Sequence, residues 1–155
     1  MDRALLHRLF RTLRARYRYI IVDAGKALTD PLIAVLDEAN LILLVANPDV
    51  PCLRNLQRLI DAVKLTGVGA DRLKIVLNRA SEFGVLSTVQ IERVLGLNID
   101  FCVTSDYRTV ASAVNSGVPV SNLRSSELTG QLEAIARALC GEPLPDQPNY
   151  RSAEM

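Results

Sequence analysis

The chain is poor in the residues that most enzymes use for nucleophilic or metal chemistry. Its 155 residues include one histidine, His7, three cysteines and no tryptophan. A single histidine argues against a histidine-based metal site and against a Ser-His-Asp triad. Cys52, Cys102 and Cys140 lie far apart in apolar sequence, which is typical of reduced cytosolic thiols rather than of a disulfide framework.

The chain also lacks long apolar runs, and its net charge is close to zero. The run at residues 41–46 is far shorter than the roughly 20 residues that span a bilayer. The N-terminal stretch alternates arginine with leucine, unlike a signal peptide. A formal net charge of +1 gives no overall attraction to nucleic acid or membrane, and 49% of the residues are hydrophobic. These features predict a globular cytoplasmic protein.

The glycine loop of nucleotide-binding proteins is the third absence. No stretch matches G-x-x-x-x-G-K-[ST], whose backbone amides and lysine hold phosphates. Gly25 and Lys26 look like the end of such a loop, but Ile20 stands where its first glycine belongs. Ala27 also replaces the required serine or threonine. The sequence therefore contains no P-loop of this type.

Basic residues are concentrated near the N-terminus, with six arginines between residues 2 and 18. A leucine and phenylalanine stripe predicts an amphipathic helix at residues 2–16. The arginines could contact DNA or acidic lipid, or they could face solvent while the leucines pack on the protein. No aromatic or small-residue pattern accompanies them, which favours the packed helix.

Apolar runs that alternate with helical patterns indicate a parallel α/β sheet with helices on both faces. Strands are predicted at residues 19–22, 41–46, 73–77 and 99–103, and the continuous run at 41–46 is typical of a strand covered on both faces. Further helices are predicted at residues 30–39, 51–66, 87–95, 106–117 and 127–140. One domain is predicted over residues 1–141, and three prolines predict an unstructured tail at 142–155.

Short local signals set the predicted helix ends. Asp30 precedes a proline, as an N-cap does before a first-turn proline. Ser87 and Gln90 have the spacing of a capping box. Asp106 is the predicted N-cap of the helix that Gly117 ends.

Ligands of parallel sheets bind where the carboxyl ends of the strands meet. Polar residues follow each predicted strand there: Asp23, Gly25 and Lys26; Asn47 and Asp49; Asn78 and Arg79; Thr104, Ser105 and Asp106. A polar residue at a strand end is more often an ordinary turn or cap, and Asp106 needs no role beyond capping. Asp23 is harder to explain in that way, because apolar residues precede it and Gly25 would let a ligand approach the backbone.

Four stretches, taken in order, resemble the MinD/ParA family of deviant P-loop ATPases. They are YRYIIVD at 17–23, the segment from LDEANL at 36–41 to LRN at 53–55, IVLNR at 75–79, and the segment from SDYRTV at 105–110 to AVNSGVP at 113–119. The likeness extends to the branch that acts in Flp or tight-adherence pilus assembly, the CpaE and TadZ proteins. It implies a P-loop NTPase-like sheet that is incomplete in this chain.

The resemblance implies ATP and Mg²⁺ as cofactors. Asp23 would hold Mg²⁺ through water, in keeping with the partial hydration of this cation. Gly25 would offer its amide to the γ-phosphate as part of a switch. Both roles belong to the phosphate end of the nucleotide.

The same resemblance implies a base-binding side. Asn78 would contact the adenine edge with Arg79 beside the base, and the loop from Thr104 to Asp106 would close over base and ribose. The family usually carries proline where this chain has Thr104. The shape of that loop is therefore expected to differ from the family pattern.

Without a glycine loop, the electrostatic stabilisation of phosphoryl transfer is missing. We therefore expect weak or no ATP binding and no turnover by these residues alone. The predicted strand at 19–22 must then pair directly with 41–46, remain unpaired, or receive a strand from elsewhere. The expected partners are an N-terminal P-loop region or a dimer partner. We expect this chain to be the C-terminal portion of a longer ATPase.

The resemblance also implies partners from pilus or secretion machinery and recruitment to the inner face of the cell membrane. Two alternatives stay open. One is a non-catalytic interaction scaffold with the same fold. The other is a receiver-like domain with Asp23 as phosphoacceptor, although the acidic pair after the first strand and the lysine after the last one are missing.

Overall fold

The computed structural model describes residues 3–25, 29–81, 86–123 and 126–141 in two compact units. The first unit comprises residues 1–42 and 58–73, and the second comprises residues 43–57 and 74–155. Lys26 and the predicted tail at 142–155 lie outside the described residues.

Helices and strands alternate along most of the chain. Their order is α1 (Arg3–Arg14), α2 (Asp30–Glu38), β1 (Ile42–Ala46), α3 (Val50–Leu65), β2 (Leu73–Ala80), α4 (Thr88–Leu95), β3 (Phe101–Thr104), α5 (Tyr107–Ser116) and α6 (Glu127–Leu139). The strands form a three-stranded parallel sheet in the order β1-β2-β3. The predicted fold class, a parallel sheet flanked by helices, is confirmed.

The first unit is built on contacts between α1 and α2. Leu6 and Phe10 of α1 are buried with Ala34 of α2 in one apolar cluster. At the edge of this cluster, Arg3 pairs with Asp37, and Glu38 contacts both His7 and Arg14, the latter at 2.7 Å. Part of the basic face of α1 is therefore neutralised by the acidic end of α2.

Another arginine, Arg72, caps the C-terminal end of α2. The guanidinium of Arg72 donates to the backbone carbonyls of Leu36 and Ala39. The last carbonyls of a helix have no partner within the helix, so a cation is well placed there. Arg72 comes from a turn more than thirty residues further along the chain, and the sequence pattern did not indicate this contact.

The second unit is centred on the pairing of β2 with β3. Val76, Phe101, Val103 and Leu128 of α6 form a buried cluster. The carboxylate of Asp100 accepts hydrogen bonds from the Lys74 ammonium and the Ile75 amide, both at 2.8 Å. These bonds fix the start of β3 against β2.

Most predicted helix ends are confirmed. Ser87 and Gln90 form the predicted capping box of α4, and Asp106 caps α5, which ends at Gly117. The N-cap of α2 is Thr29 rather than Asp30, because the Thr29 side chain accepts the Leu32 amide and Asp30 is already helical.

Two predictions about the strands are wrong. Residues 19–22 form no strand in the described structure, and the Ile21 side chain is 94% exposed. β1 is buried on one face only: Leu43 is 39% exposed and Val45 61% exposed. A strand requires backbone partners as well as apolar residues, and the sheet of the described residues consists of β1, β2 and β3.

Candidate functional site

The carboxyl end of β2 contains an irregularity at the predicted base-binding residues. Asn78 is in register with Val103, and Ala80 is in register with Thr104. Arg79 is therefore the extra residue of a β-bulge, and its φ of +57° lies in the left-handed region. Bulges and such backbone outliers concentrate near functional sites, where they redirect a side chain. No pattern in the sequence indicates this geometry.

The loop after β3 lies beside this bulge. The Ser105 amide donates to the carbonyl of Ala80 at 3.2 Å, so the two strand ends remain connected beyond the last register pair. Because β2 and β3 are parallel, Asn78, Arg79 and Thr104 all lie at the same edge of the sheet. Asn78 and Arg79 thus lie at the end of β2, next to Thr104 at the end of β3. Asp106, the fourth residue predicted on the base side, lies in the loop after β3.

The amide of Thr104 has a partner that the sequence did not predict. It donates to Oε1 of Gln131 in α6 at 2.7 Å. The Nε2 atom of the Gln131 side chain donates to Glu127 Oε1 at 3.0 Å. The two residues that meet, Thr104 and Gln131, are 27 positions apart, so neither helical nor strand spacing could reveal the contact.

Asp106 has the structural role that its position predicts. Its carboxylate accepts the Thr109 amide at 3.0 Å and caps α5. Hydrogen bonds from the Thr109 side chain and backbone hold the pKa of Asp106 below its ordinary value of 3.8. The charged form is the better acceptor, so the cap favours ionisation.

The lowered pKa predicts a pH-dependent contribution to stability. This contribution is fully present above the ordinary value of 3.8 and is lost as the pH falls through the lower folded-state pKa. Asn also caps helices well but does not titrate. In urea unfolding from pH 7 to pH 2, we expect the advantage of the parent over Asp106→Asn to shrink in acid. Asp106→Ser, a second neutral cap, should behave like Asp106→Asn. A constant advantage at all pH values would contradict this role.

Asp23 and Gly25 lie in the first unit. Both are exposed, and Gly25 has a φ of +69°, a conformation that glycine adopts at little cost. Within the described residues, no three His, Cys, Asp or Glu side chains are grouped as a metal site would require. A single exposed carboxylate fits a water-mediated contact to Mg²⁺ that also has phosphate ligands, and it does not fit a site built from protein ligands alone.

The strand end of β1 carries an ordinary helix cap. Asp49 Oδ1 accepts the Cys52 amide at 2.8 Å at the start of α3. A separate hydrogen bond, between the Cys52 thiol and the Asp49 carboxylate, is the main reason why the pKa of this thiol is raised. A thiol of raised pKa is a poor nucleophile at neutral pH, so this position offers structure rather than chemistry.

Comparison with known proteins connects this arrangement to a class of ATPases. No family model matches the chain. The septum site-determining protein MinD of Thermotoga maritima is 26% identical over 147 residues, which cover 92% of this chain and 54% of that protein. A ParA family ATPase from Chlorobium tepidum superimposes with a TM-score of 0.81 at 25% identity, over 90% of this chain and 57% of that chain.

Two further structures share the fold at lower identity. The MinD cell division protein of Aquifex aeolicus gives a TM-score of 0.83 at 21% identity, covering 96% of this chain and 64% of that one. MinD of Pyrococcus horikoshii, complexed with Mg-ADP, gives 0.70 at 19% identity, covering 90% and 58%.

The chain is related to the MinD/ParA-family ATPases and has their P-loop NTPase fold. It spans little more than half the length of the relatives that it matches. In the part of the chain that the structure describes, none of the helices combines the length and apolarity needed to cross a membrane.

Proposed function

We propose that this chain forms the base-binding and Mg²⁺-facing part of a MinD/ParA-like ATPase, with the phosphates held by a P-loop region outside it. The observation that carries the proposal is the bulged strand end, where Asn78 and the left-handed Arg79 lie beside Thr104. Asn78 would bind the adenine edge, Arg79 would flank the base, and the loop from Thr104 to Asp106 would cover base and ribose.

Asp23 and Gly25 would serve the other end of the nucleotide. The Asp23 carboxylate would hold Mg²⁺ through water, and the Gly25 amide would face the γ-phosphate. The bound Mg²⁺ would neutralise charge on the phosphates. In keeping with this role, a Mg-ADP complex is known for the MinD of Pyrococcus horikoshii.

The uncovered apolar surfaces support a role for additional polypeptide. Ile21 is 94% exposed in the first unit, and Val45 is 61% exposed in the second. Apolar side chains on a strand of a parallel sheet, such as Val45, are normally covered. Exposed apolar side chains such as Ile21 are also typical of surfaces that contact another polypeptide. A P-loop region with its strand and helix, or a dimer partner, would cover them. The chain would then be the C-terminal portion of a longer ATPase.

At a finer level, we propose membership of the CpaE/TadZ-like branch, in which the ATPase positions a pilus or secretion machine at the membrane. The four sequence stretches at residues 17–119 favour this branch. The alternative is a non-catalytic scaffold that binds the same machinery. The exposed apolar residues of β1 favour either one, because both would bury them against another polypeptide.

Titration with Mg-ATP separates these two functions. We expect weak saturable binding that Asn78→Ala lowers roughly tenfold, because the base loses its hydrogen-bonding partner. Asn55→Ala is the matched control, since Asn55 is exposed on α3. Binding that is absent, or equally strong in both variants, would favour the scaffold.

A further inference from the structure

The strongest unexplained contact in the second unit joins α6 to the loop after β3. Leu128 and Ile135 of α6 pack in the cluster that contains Phe101 and Val103 of β3. Gln131 lies three residues after Leu128 and four before Ile135, on the same face of the helix. Packing of α6 therefore places the Gln131 amide directly at the carboxyl end of β3.

The hydrogen bonds of Gln131 place its acceptor atom, Oε1, at the backbone amide of Thr104. Its Nε2 donates to Glu127, which leaves Oε1 for the Thr104 amide at 2.7 Å. In the strand pairing, the next amide, Ser105, points to β2 and bonds to Ala80. The Thr104 amide points the opposite way, because successive amides of a strand alternate in direction. Gln131 thus satisfies a donor that the sheet cannot satisfy.

Thr104 has a backbone N–H, which a proline at this position would lack. The Thr104 amide is thus a donor in a loop that is proposed to cover the nucleotide base. We propose that Gln131 is a positioning residue, which holds the loop from Thr104 to Asp106 in its base-binding conformation by accepting the Thr104 amide. This role rests on the proposed function for its ligand, whereas the contact itself does not.

The test compares Gln131→Leu in two backgrounds, the parent and Thr104→Pro. The reporter is hydrogen exchange of the Ser105 amide, which is present in both. In the parent background, Gln131→Leu should accelerate this exchange roughly fivefold, as expected for one lost hydrogen bond. In the Thr104→Pro background, it should change the exchange less than about twofold, because no amide remains at residue 104.

Adenosine affinity is measured on the same four proteins. We expect Gln131→Leu to weaken adenosine binding roughly fivefold in the parent and to have little effect beside Thr104→Pro. Glu133→Leu, an exposed position of α6, is the control for apolar substitution on this helix. A rescue variant combines Glu127→Gln with Gln131→Glu, which exchanges the two side chains while keeping an acceptor for Thr104.

The two readouts distinguish the possible failures. Equal acceleration of Ser105 exchange in both backgrounds would overturn the positioning role, because Gln131 would then act through packing alone. Normal exchange results without adenosine binding by the parent would overturn the proposed base site, and with it the ligand assigned to this loop. Failure of the exchanged pair to restore slow exchange would also contradict the amide contact.

Discussion

ATP hydrolysis should fall at least about 100-fold on Asp23→Ala once a phosphate-binding loop is supplied. The protein for this measurement joins the chain to a segment that contains a G-x-x-x-x-G-K-[ST] loop. Loss of the carboxylate removes the protein ligand proposed for Mg²⁺, which stabilises charge on the transferring phosphoryl group. Steady-state release of phosphate is the readout.

Asp30→Ala is the matched control, because Asp30 is also an exposed carboxylate of the first unit. Mg-ADP binding by the joined protein establishes that its nucleotide site has formed. Hydrolysis that survives Asp23→Ala would contradict the assignment of Asp23 as the metal-facing residue. Turnover by the unjoined chain would contradict the expectation that these residues need a separate phosphate-binding loop.

Substitution of Arg79 should separate backbone strain from ligand binding. A residue other than glycine in the left-handed region costs roughly 1–2 kcal/mol, and a β-branched residue costs more. We therefore expect Arg79→Gly to raise the free energy of unfolding by about 1 kcal/mol, after the entropy cost of glycine is included. Arg79→Val should lower it, so that the two variants differ by about 2 kcal/mol.

Adenosine binding should not follow this order. Both variants lack the guanidinium that would flank the base, so both should bind adenosine more weakly than the parent. Urea unfolding and adenosine titration on the same samples make the comparison. A stabilised Arg79→Gly that binds adenosine as well as the parent would show that the strained residue has no role in ligand binding.

Much of the second unit could be predicted from the sequence because its signals are local. The capping box of Ser87 and Gln90 and the cap at Asp106 depend on residues three positions apart. Apolar runs indicated β1, β2 and β3 to within a few residues. The polar residues at the ends of β2 and β3 followed from the parallel arrangement alone.

The remaining features depend on contacts between distant segments. The bulge at Arg79 arises from the register of β2 against β3, and the bond from Thr104 to Gln131 depends on how α6 packs. The YIIV run at residues 19–22 has the composition of a strand, but composition does not supply the neighbouring backbone that a strand needs. Nucleotide binding by Asn78, Arg79, Thr104 and Asp106 stays a prediction, and the structure shows the strand register and hydrogen bonds around these residues.

The most direct measurement compares the affinities of the chain for adenosine, ATP and tripolyphosphate in the presence of Mg²⁺. If the chain binds the base and has no phosphate-binding loop, its dissociation constants for adenosine and ATP should agree within about threefold. This corresponds to a difference in binding free energy below about 1 kcal/mol. Tripolyphosphate should not compete with either. ATP that binds far more tightly than adenosine, or is displaced by tripolyphosphate, would contradict the proposal that this chain binds the base while a separate P-loop region binds the phosphates.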